Sequence, residues 1–204
     1  MKNFGLVVIG AHIGVHILDE IEKYKDQNIL LIEPVPHNLK VLKKNIPNKK
    51  SIKIEQLAIS ASSVIKKFYF IKEDSIHKLG KHWASGIGSF DKQHILNHKT
   101  KRFNVSDDDI ETMEIKCLTF SEVLNKYSIK MIDKLIIDVE GSEFEILNSI
   151  DFDKIEIKKI IFEFKHFDGT FKEGSKLKII KEKLINFNYT ITEIDKENIL
   201  AEKN

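Results

Sequence analysis

The six residues from Phe4 to Ile9 carry no polar side chain and are closed by Gly10. So short and unbroken an apolar run fits a strand buried on both faces, as in a parallel sheet covered by helices. Further buried strands are expected at 28–32 and 134–139, and strands also at 52–59 and 160–164. Between them, apolar residues recur at helical spacing: Ile13, Ile17, Ile21 and Tyr24; Leu39 and Leu42 before Pro47; Phe120, Val123, Leu124 and Tyr127; Leu177, Ile180 and Leu184. Thr119 with Glu122, and Ser142 with Glu145, have the spacing of capping boxes that start helices. Two short strands, 189–194 and 199–201, flank Lys196-Glu197-Asn198 and suit an antiparallel pair at one edge. The expected class is α/β: a mostly parallel seven-stranded sheet, Rossmann-like, with helices on both faces and an antiparallel C-terminal edge.

The rhythm breaks in the middle. Residues 64–71 read as a strand, and 75–109 show little periodicity, which marks a functional or mobile stretch. The expected organisation is one domain over 1–204 with an inserted, substrate-side segment at about 64–112. A strand at 113–118 then resumes the pattern.

The bulk properties exclude some classes. The formal net charge is only +2, and Arg102 is the single arginine among 33 basic residues, so the lysine clusters do not make a nucleic-acid surface. Cys117 is the single cysteine, so no internal disulfide can form, and a cytoplasmic setting is expected. Lys2 and the apolar stretch after it resemble a secretion leader, but glycines, histidines and an acidic helix follow without a small-residue cleavage site. No apolar run approaches the roughly 20 residues that span a bilayer.

In an open α/β sheet, ligands bind beyond the carboxyl ends of the strands. Those ends are Gly10-Ala11-His12-Ile13-Gly14, Glu33-Pro34, Ala58-Ile59-Ser60, Asp138-Val139-Glu140-Gly141 and Glu163-Phe164-Lys165-His166. Three of them hold a carboxylate in an apolar setting, which is costly without a polar partner. The first loop is neither the GxGxxG dinucleotide fingerprint nor a P-loop. Glu33, 19 residues after Gly14, stands where an acid can accept hydrogen bonds from both hydroxyls of a ribose. A nucleoside site without a diphosphate clamp follows, and S-adenosylmethionine is the commonest ligand of that description.

At these residues the chain resembles the FkbM family of methyltransferases. Residues 135–147, Leu-Ile-Ile-Asp-Val-Glu-Gly-Ser-Glu-Phe-Glu-Ile-Leu, are similar to that family's apolar strand, Asp-x-Glu-Gly and acidic helix. Residues 8–14 resemble its first cofactor loop, 32–38 its Glu-Pro-x-Pro segment, and 83–90 its glycine-serine stretch. Residues 57–60 and 161–163 also match. Val8 stands where the family usually has aspartate, and His12 where it usually has asparagine. The resemblance implies a class I methyltransferase fold and S-adenosylmethionine as cofactor. It implies cofactor contacts from Gly10, Ala11, His12, Gly14, Glu33, Pro34, Ala58, Ile59, Ser89 and Asp138. It also implies O-methylation of a hydroxyl on a small-molecule or saccharide acceptor.

A hydroxyl is a poor nucleophile until its proton leaves, so a base is needed within hydrogen-bond reach. Asp138, Glu140, Glu163 and His166 are the candidates, with Asp138 placing the reacting group and Glu163 or His166 as base. Glu140 could instead charge the start of its helix, Glu143 and Glu145 read as a solvated face with a capping role, and His166 as an ordinary turn residue. His94 and His98 have the i, i+4 spacing of a zinc pair but lack a Glu-x-x-His context, so no metal is expected there. Asp138 with Glu163 could hold magnesium, although nothing in the sequence requires it. His77, Lys78, Lys81, His82, Lys99, Lys101 and Arg102 form either a substrate-side cluster or a solvated loop. Trp83 either stacks on a sugar ring or anchors the loop. A nicotinamide-dependent sugar oxidoreductase and a non-catalytic binding partner of the same fold are the alternatives. A homo-oligomer is left open.

Overall fold

The computed structural model describes residues 2–80, 82–100, 103–167 and 174–204. In chain order the elements begin with β1 (Lys2–Ile9), α1 (Leu18–Lys23), β2 (Asn28–Ile32), α2 (Pro36–Asn45), β3 (Ile52–Glu55) and β4 (Ala58–Ile59). Next come β5 (Ile65–Ile71), α3 (Glu73–Leu79), β6 (Gly88–Ser89), α4 (Lys92–Asn97), β7 (Lys99–Thr100), β8 (Phe103–Asn104) and β9 (Ile110–Leu118). The chain closes with α5 (Phe120–Tyr127), β10 (Ile129–Ile137), α6 (Glu143–Ser149), β11 (Glu156–Glu163), α7 (Ser175–Asn186), β12 (Tyr189–Glu193) and β13 (Asn198–Lys203).

Seven strands form one sheet in the order β12-β13-β11-β10-β1-β2-β3. All neighbours are parallel except β13, which runs antiparallel to both β11 and β12. The period-2 alternation of β1 divides its side chains between two cores. Val7 and Ile9 pack with Leu30, Ile32, Leu135 and Ile137 under α5, α6 and α7. Leu6 and Val8 pack with Ile29, Leu31 and Leu42 under α1 and α2. The unbroken apolar run of β1 is thus the signature of a central strand. Among the described residues, no helix is long and apolar enough to cross a membrane.

The single strand expected over 52–59 is two strands. β3 stays in the main sheet beside β2, whereas β4 pairs with β9 in a second sheet, ordered β4-β9-β5-β6. The break at Gln56-Leu57 has no glycine or proline to announce it. In the second sheet β5 and β9 pair antiparallel from Ile65–Lys116 to Ile71–Ile110, so 113–118 is the end of a longer strand outside the main sheet. The weakly patterned middle has its own small core of Ile71, Leu79, Ala84, Ile87, Ile95, Val105 and Ile110.

Candidate functional site

The strand order reverses between the parallel neighbours β1 and β10: successive strands run outward to β2 and β3 on one side and to β11 on the other. The crevice beyond their carboxyl ends is where an open α/β sheet takes its ligand. A cleft with about 470 Å³ of atom-free space, open solvent at its mouth included, lies there. Ile9, Gly10, Ile32, Glu33, Leu57 and Asp138 line it from the main sheet side, and Phe68, Gly88 and Phe90 from the second sheet. The Phe68 and Phe90 rings meet edge to face at 5.3 Å.

Six of the ten expected cofactor residues line this cleft: Gly10, Glu33, Pro34, Ala58, Ile59 and Asp138. Gly10 has φ +89°, and a Cβ there would stand 1.7 Å from the carbonyl oxygen of Asp138, so only glycine lets the two strand ends approach. Ala11 is fully buried behind the loop. Gly14, also left-handed, is set by packing, because a Cβ would meet Leu42 at 2.6 Å and Ile46 at 2.9 Å. Ser89 lies off the cleft, its hydroxyl 3.5 Å from the Glu140 carbonyl and 3.3 Å from the Asp91 amide.

Glu33 is buried at the end of β2. The His12 amide donates to Oε2 at 2.8 Å, and Val35 N donates to Oε1 at 2.9 Å. Asn38 Nδ2 adds a longer contact to Oε1 at 3.3 Å and donates to the Ser85 carbonyl at 2.7 Å. Burial pushes the carboxyl up to about 7 against these donors. His12 adopts φ +50°, a left-handed conformation that asparagine and histidine tolerate better than most residues. Its Nε2 lies 2.6 Å from Ser85 Oγ. Histidine therefore keeps what an asparagine would supply here, a left-handed turn and a polar side-chain contact. Val8 is fully buried in the apolar cluster with Leu6, Leu31 and Ile136, and presents no carboxylate.

The other side of the cleft is crowded with acids. Asp138, Glu143 and Glu163 each bring an oxygen within 4.8 Å of the others. Asp138 is open at the mouth, yet packed protein surrounds it. That desolvation, with the neighbouring Glu140 charge, pushes its carboxyl up to about 6. Glu163 is pushed to about 7 by burial, against the pull of Lys165, whose Nζ lies 2.6 Å away.

Three expectations around Glu140 are corrected. The Ser142–Glu145 capping box does not form; Ser142 makes no side-chain cap bond. Instead Glu143, expected on a solvated face, is completely buried and accepts the Val139 and Gly141 amides at 2.9 and 3.0 Å. Those orphan amides have their acceptor in Glu143, and burial pushes its carboxyl to about 7. Glu140 lies in the loop before α6. It sits at φ +57° and faces three imidazoles, with Oε2 3.5 Å from His94 Nε2, 3.6 Å from His98 Nε2 and 3.1 Å from His166 Nε2. Burial alone would raise its carboxyl, but the three imidazoles hold it well below the usual range. His166 is therefore no ordinary turn residue.

Asp138, Glu140, Glu163 and His166 are thus brought together beyond the ends of β10 and β11, where Asp138 lines the cleft. Sequence reasoning gave no role to Asn38, Ser85, Phe68 and Phe90 on the Glu33 side of the cleft or to Lys165 on the other. Asn38 carried a signal as a polar residue on the apolar face of α2, Ser85 and Phe90 lay in the 83–90 stretch, and Lys165 lay in the strand-end group 163–166. Trp83 is 38% exposed. Lys78 pairs with the buried Asp109 at 2.8 Å, not with the site. Lys81, Lys101 and Arg102, and the side chains of His82 and Lys99, lie outside the described residues.

Comparison with known proteins agrees with this architecture. Among solved structures, the fibrillarin pre-rRNA processing protein of Methanococcus jannaschii superposes with a TM-score of 0.51 at 12% identity, over 99% of this chain and 67% of that one. Aeropyrum pernix fibrillarin, solved with S-adenosyl-L-methionine, gives 0.44 at 10% identity over 98% and 66%. A putative caffeoyl-CoA O-methyltransferase from Staphylococcus aureus gives 0.48 at 13% identity over 100% and 76%. A search of curated proteins finds no match. The fold is the Rossmann-like class I methyltransferase fold. Residues 9–195 match the methyltransferase FkbM domain, nearly the whole chain, and the chain therefore belongs to the FkbM methyltransferase family.

Proposed function

We propose that this protein is an S-adenosylmethionine-dependent O-methyltransferase acting on a hydroxyl of a sugar or other glycosylated small molecule. The observation that carries the reading is Glu33, a buried carboxylate in the cleft whose Oε2 takes one backbone amide and keeps a free lone pair. That oxygen fits a ribose hydroxyl. The left-handed Gly10 lets a ligand come close to the backbone, and Leu57, Ile59, Phe68 and Phe90 supply apolar walls for a flat heterocycle. The cofactor would supply an electrophilic methyl group. Asp138 would orient the acceptor hydroxyl, and Glu163, with a carboxyl near neutrality, would take its proton. Lys165 beside Glu163 keeps that carboxylate from drifting higher.

The chain would act as one domain, with residues 64–112 covering the acceptor side. A cytoplasmic setting and a small-molecule partner rather than a nucleic acid fit the charge and cysteine content. One observation favours a non-catalytic relative instead: Val8 leaves the start of the loop without a carboxylate. A thermal-shift titration with S-adenosylhomocysteine, with NAD as control, decides between these. Ligand at 100 times its dissociation constant should stabilise the fold by about 2.7 kcal/mol. A shift lost in Glu33→Ala supports the enzyme. No shift at millimolar ligand sinks the cofactor reading and leaves the non-catalytic relative standing. A shift with NAD alone would point to an oxidoreductase.

A further inference from the structure

We propose that His94, His98, Glu140 and His166 form a binding site for a divalent transition-metal ion of the zinc class. The four ligand atoms come from three parts of the chain: α4 and its C-terminal cap, the loop after β10, and the turn after β11. All lie within 4.8 Å of one another. Four ligands about 2.0–2.1 Å from one zinc ion stand about 3.3 Å apart along the edges of a tetrahedron. The three imidazole nitrogens lie 3.5, 3.6 and 3.1 Å from Glu140 Oε2, close to that edge length.

The hydrogen bonding around the cluster points the same way. His98 Nδ1 lies 2.9 Å from the His94 carbonyl, which can only accept, so Nδ1 carries a proton. In the neutral ring Nε2 then turns a lone pair toward the lone pairs of Glu140. A carbonyl partner on the far nitrogen is how metal-binding histidines are usually oriented. His94 Nε2 and Glu140 Oε2 are shut off from solvent and make no well-formed hydrogen bond among the described residues. A cation between them satisfies both.

Charge favours it too. Asp138, Glu140, Glu143 and Glu163 crowd this side of the cleft, with Lys165 beside Glu163. Three imidazoles and one carboxylate suit zinc, iron or nickel, whereas magnesium prefers oxygen ligands in an octahedron. The ion would fasten α4, from the second-sheet region, onto the ends of β10 and β11. Glu163 Oε2 is 3.7 Å from His166 Nε2, so the ion would stand next to the proposed base. The site rests on these four side chains and not on the cofactor reading.

The test uses untagged full-length protein stripped with a chelator, titrated with Zn2+ against a chromophoric chelator and separately with Co2+. One equivalent of each ion should bind, and Co2+ should show the visible absorption of a four-coordinate site. His94→Ala and His98→Ala should each weaken Zn2+ binding by more than about 100-fold, since even groups that merely orient a ligand cost 10–100-fold. His77→Ala, on α3 outside the cluster, should change nothing. Far-UV circular dichroism checks that each variant is folded. If one is not, the other and the wild-type stoichiometry decide. Uptake below one equivalent, or equal uptake in His94→Ala and His98→Ala, overturns the site. The S-adenosylhomocysteine shift, measured on the same stripped sample, separates that failure from failure of the methyltransferase reading.

Discussion

The two halves of the cleft use carboxylates in opposite ways. On the β2 side Glu33 stands alone, fixed by the His12 and Val35 amides and walled by apolar side chains. On the β10–β11 side Asp138, Glu140, Glu143 and Glu163 lie together among three histidines and Lys165. A carboxylate held by amides in isolation is a fixed hydrogen-bonding post. Carboxylates that share a space push one another's protons on or off, and so can do proton chemistry. The fold separates the two by the width of β1, with Gly10 as the seam.

The largest effect is expected where both halves meet. Gly10→Ala places a methyl group against the Asp138 carbonyl and forces alanine to φ +89°. Left-handed strain of about 1–3 kcal/mol adds to a steric cost of about 1–3 kcal/mol. Chemical denaturation should show the sum, and S-adenosylhomocysteine binding should vanish with it. If stability falls but binding survives, the seam is not what unites the two halves. Next in size is Glu163→Gln. Removing the proposed general base should cost about 100–10,000-fold in turnover. With Glu163 near 7, wild-type turnover should rise with pH through that value as the carboxyl loses its proton. Glu163→Gln should flatten the rise. A rise that persists in the variant would move the role to Asp138 or His166.

Stability gives a third, smaller handle. Glu143 is ordinarily protonated only below about 4.5, but in the folded protein its carboxyl is raised to about 7. Between those values the folded state binds the proton and the unfolded state does not. Stability from this group is therefore full below about pH 4.5 and is lost as pH rises toward 7. The loss is on the order of 1–3 kcal/mol. Glu33 and Glu163 add to the same slope. Glu143→Gln should make the fall shallower in thermal melts across that window. An unchanged slope would mean that Glu143 is already ionised in the native state at pH 5.

Most of the frame was legible because it is written in periodicity. β1 and β2 are apolar on both faces over most of their length, and the Thr119–Glu122 capping box forms as its spacing predicts. The strand-end rule placed Gly10, Glu33 and Asp138 on the cleft. Illegible features depend on partners far along the chain. Nothing local separates β3 from β4, since each joins a different sheet through residues tens of positions away. The i, i+4 spacing of His94 and His98 was visible. Their meeting with His166, 68 residues beyond His98, follows only from the order of β10 and β11 in the sheet. The Ser142 cap failed for a local reason. The backbone turns left-handed at Glu140 and Gly141, and Glu143 folds back to hold the Val139 and Gly141 amides of that turn.

The smallest prediction sharpens that last point, because Glu143 and Glu145 are near-identical in sequence context and opposite in setting. Glu145 is 44% exposed and sits 3.6 Å from Lys176 on α7. An exposed pair of that kind contributes about 0–1 kcal/mol and is screened by salt. Glu145→Ala should therefore change stability by no more than about 0.5 kcal/mol, and the change should disappear in high salt. Glu143→Ala leaves the Val139 and Gly141 amides without their acceptor, at about 1–3 kcal/mol for each buried group. That cost is insensitive to salt. Equal losses from the two variants would mean that Glu143 is as solvated as Glu145, and the fixed loop between Asp138 and α6 would then have no anchor.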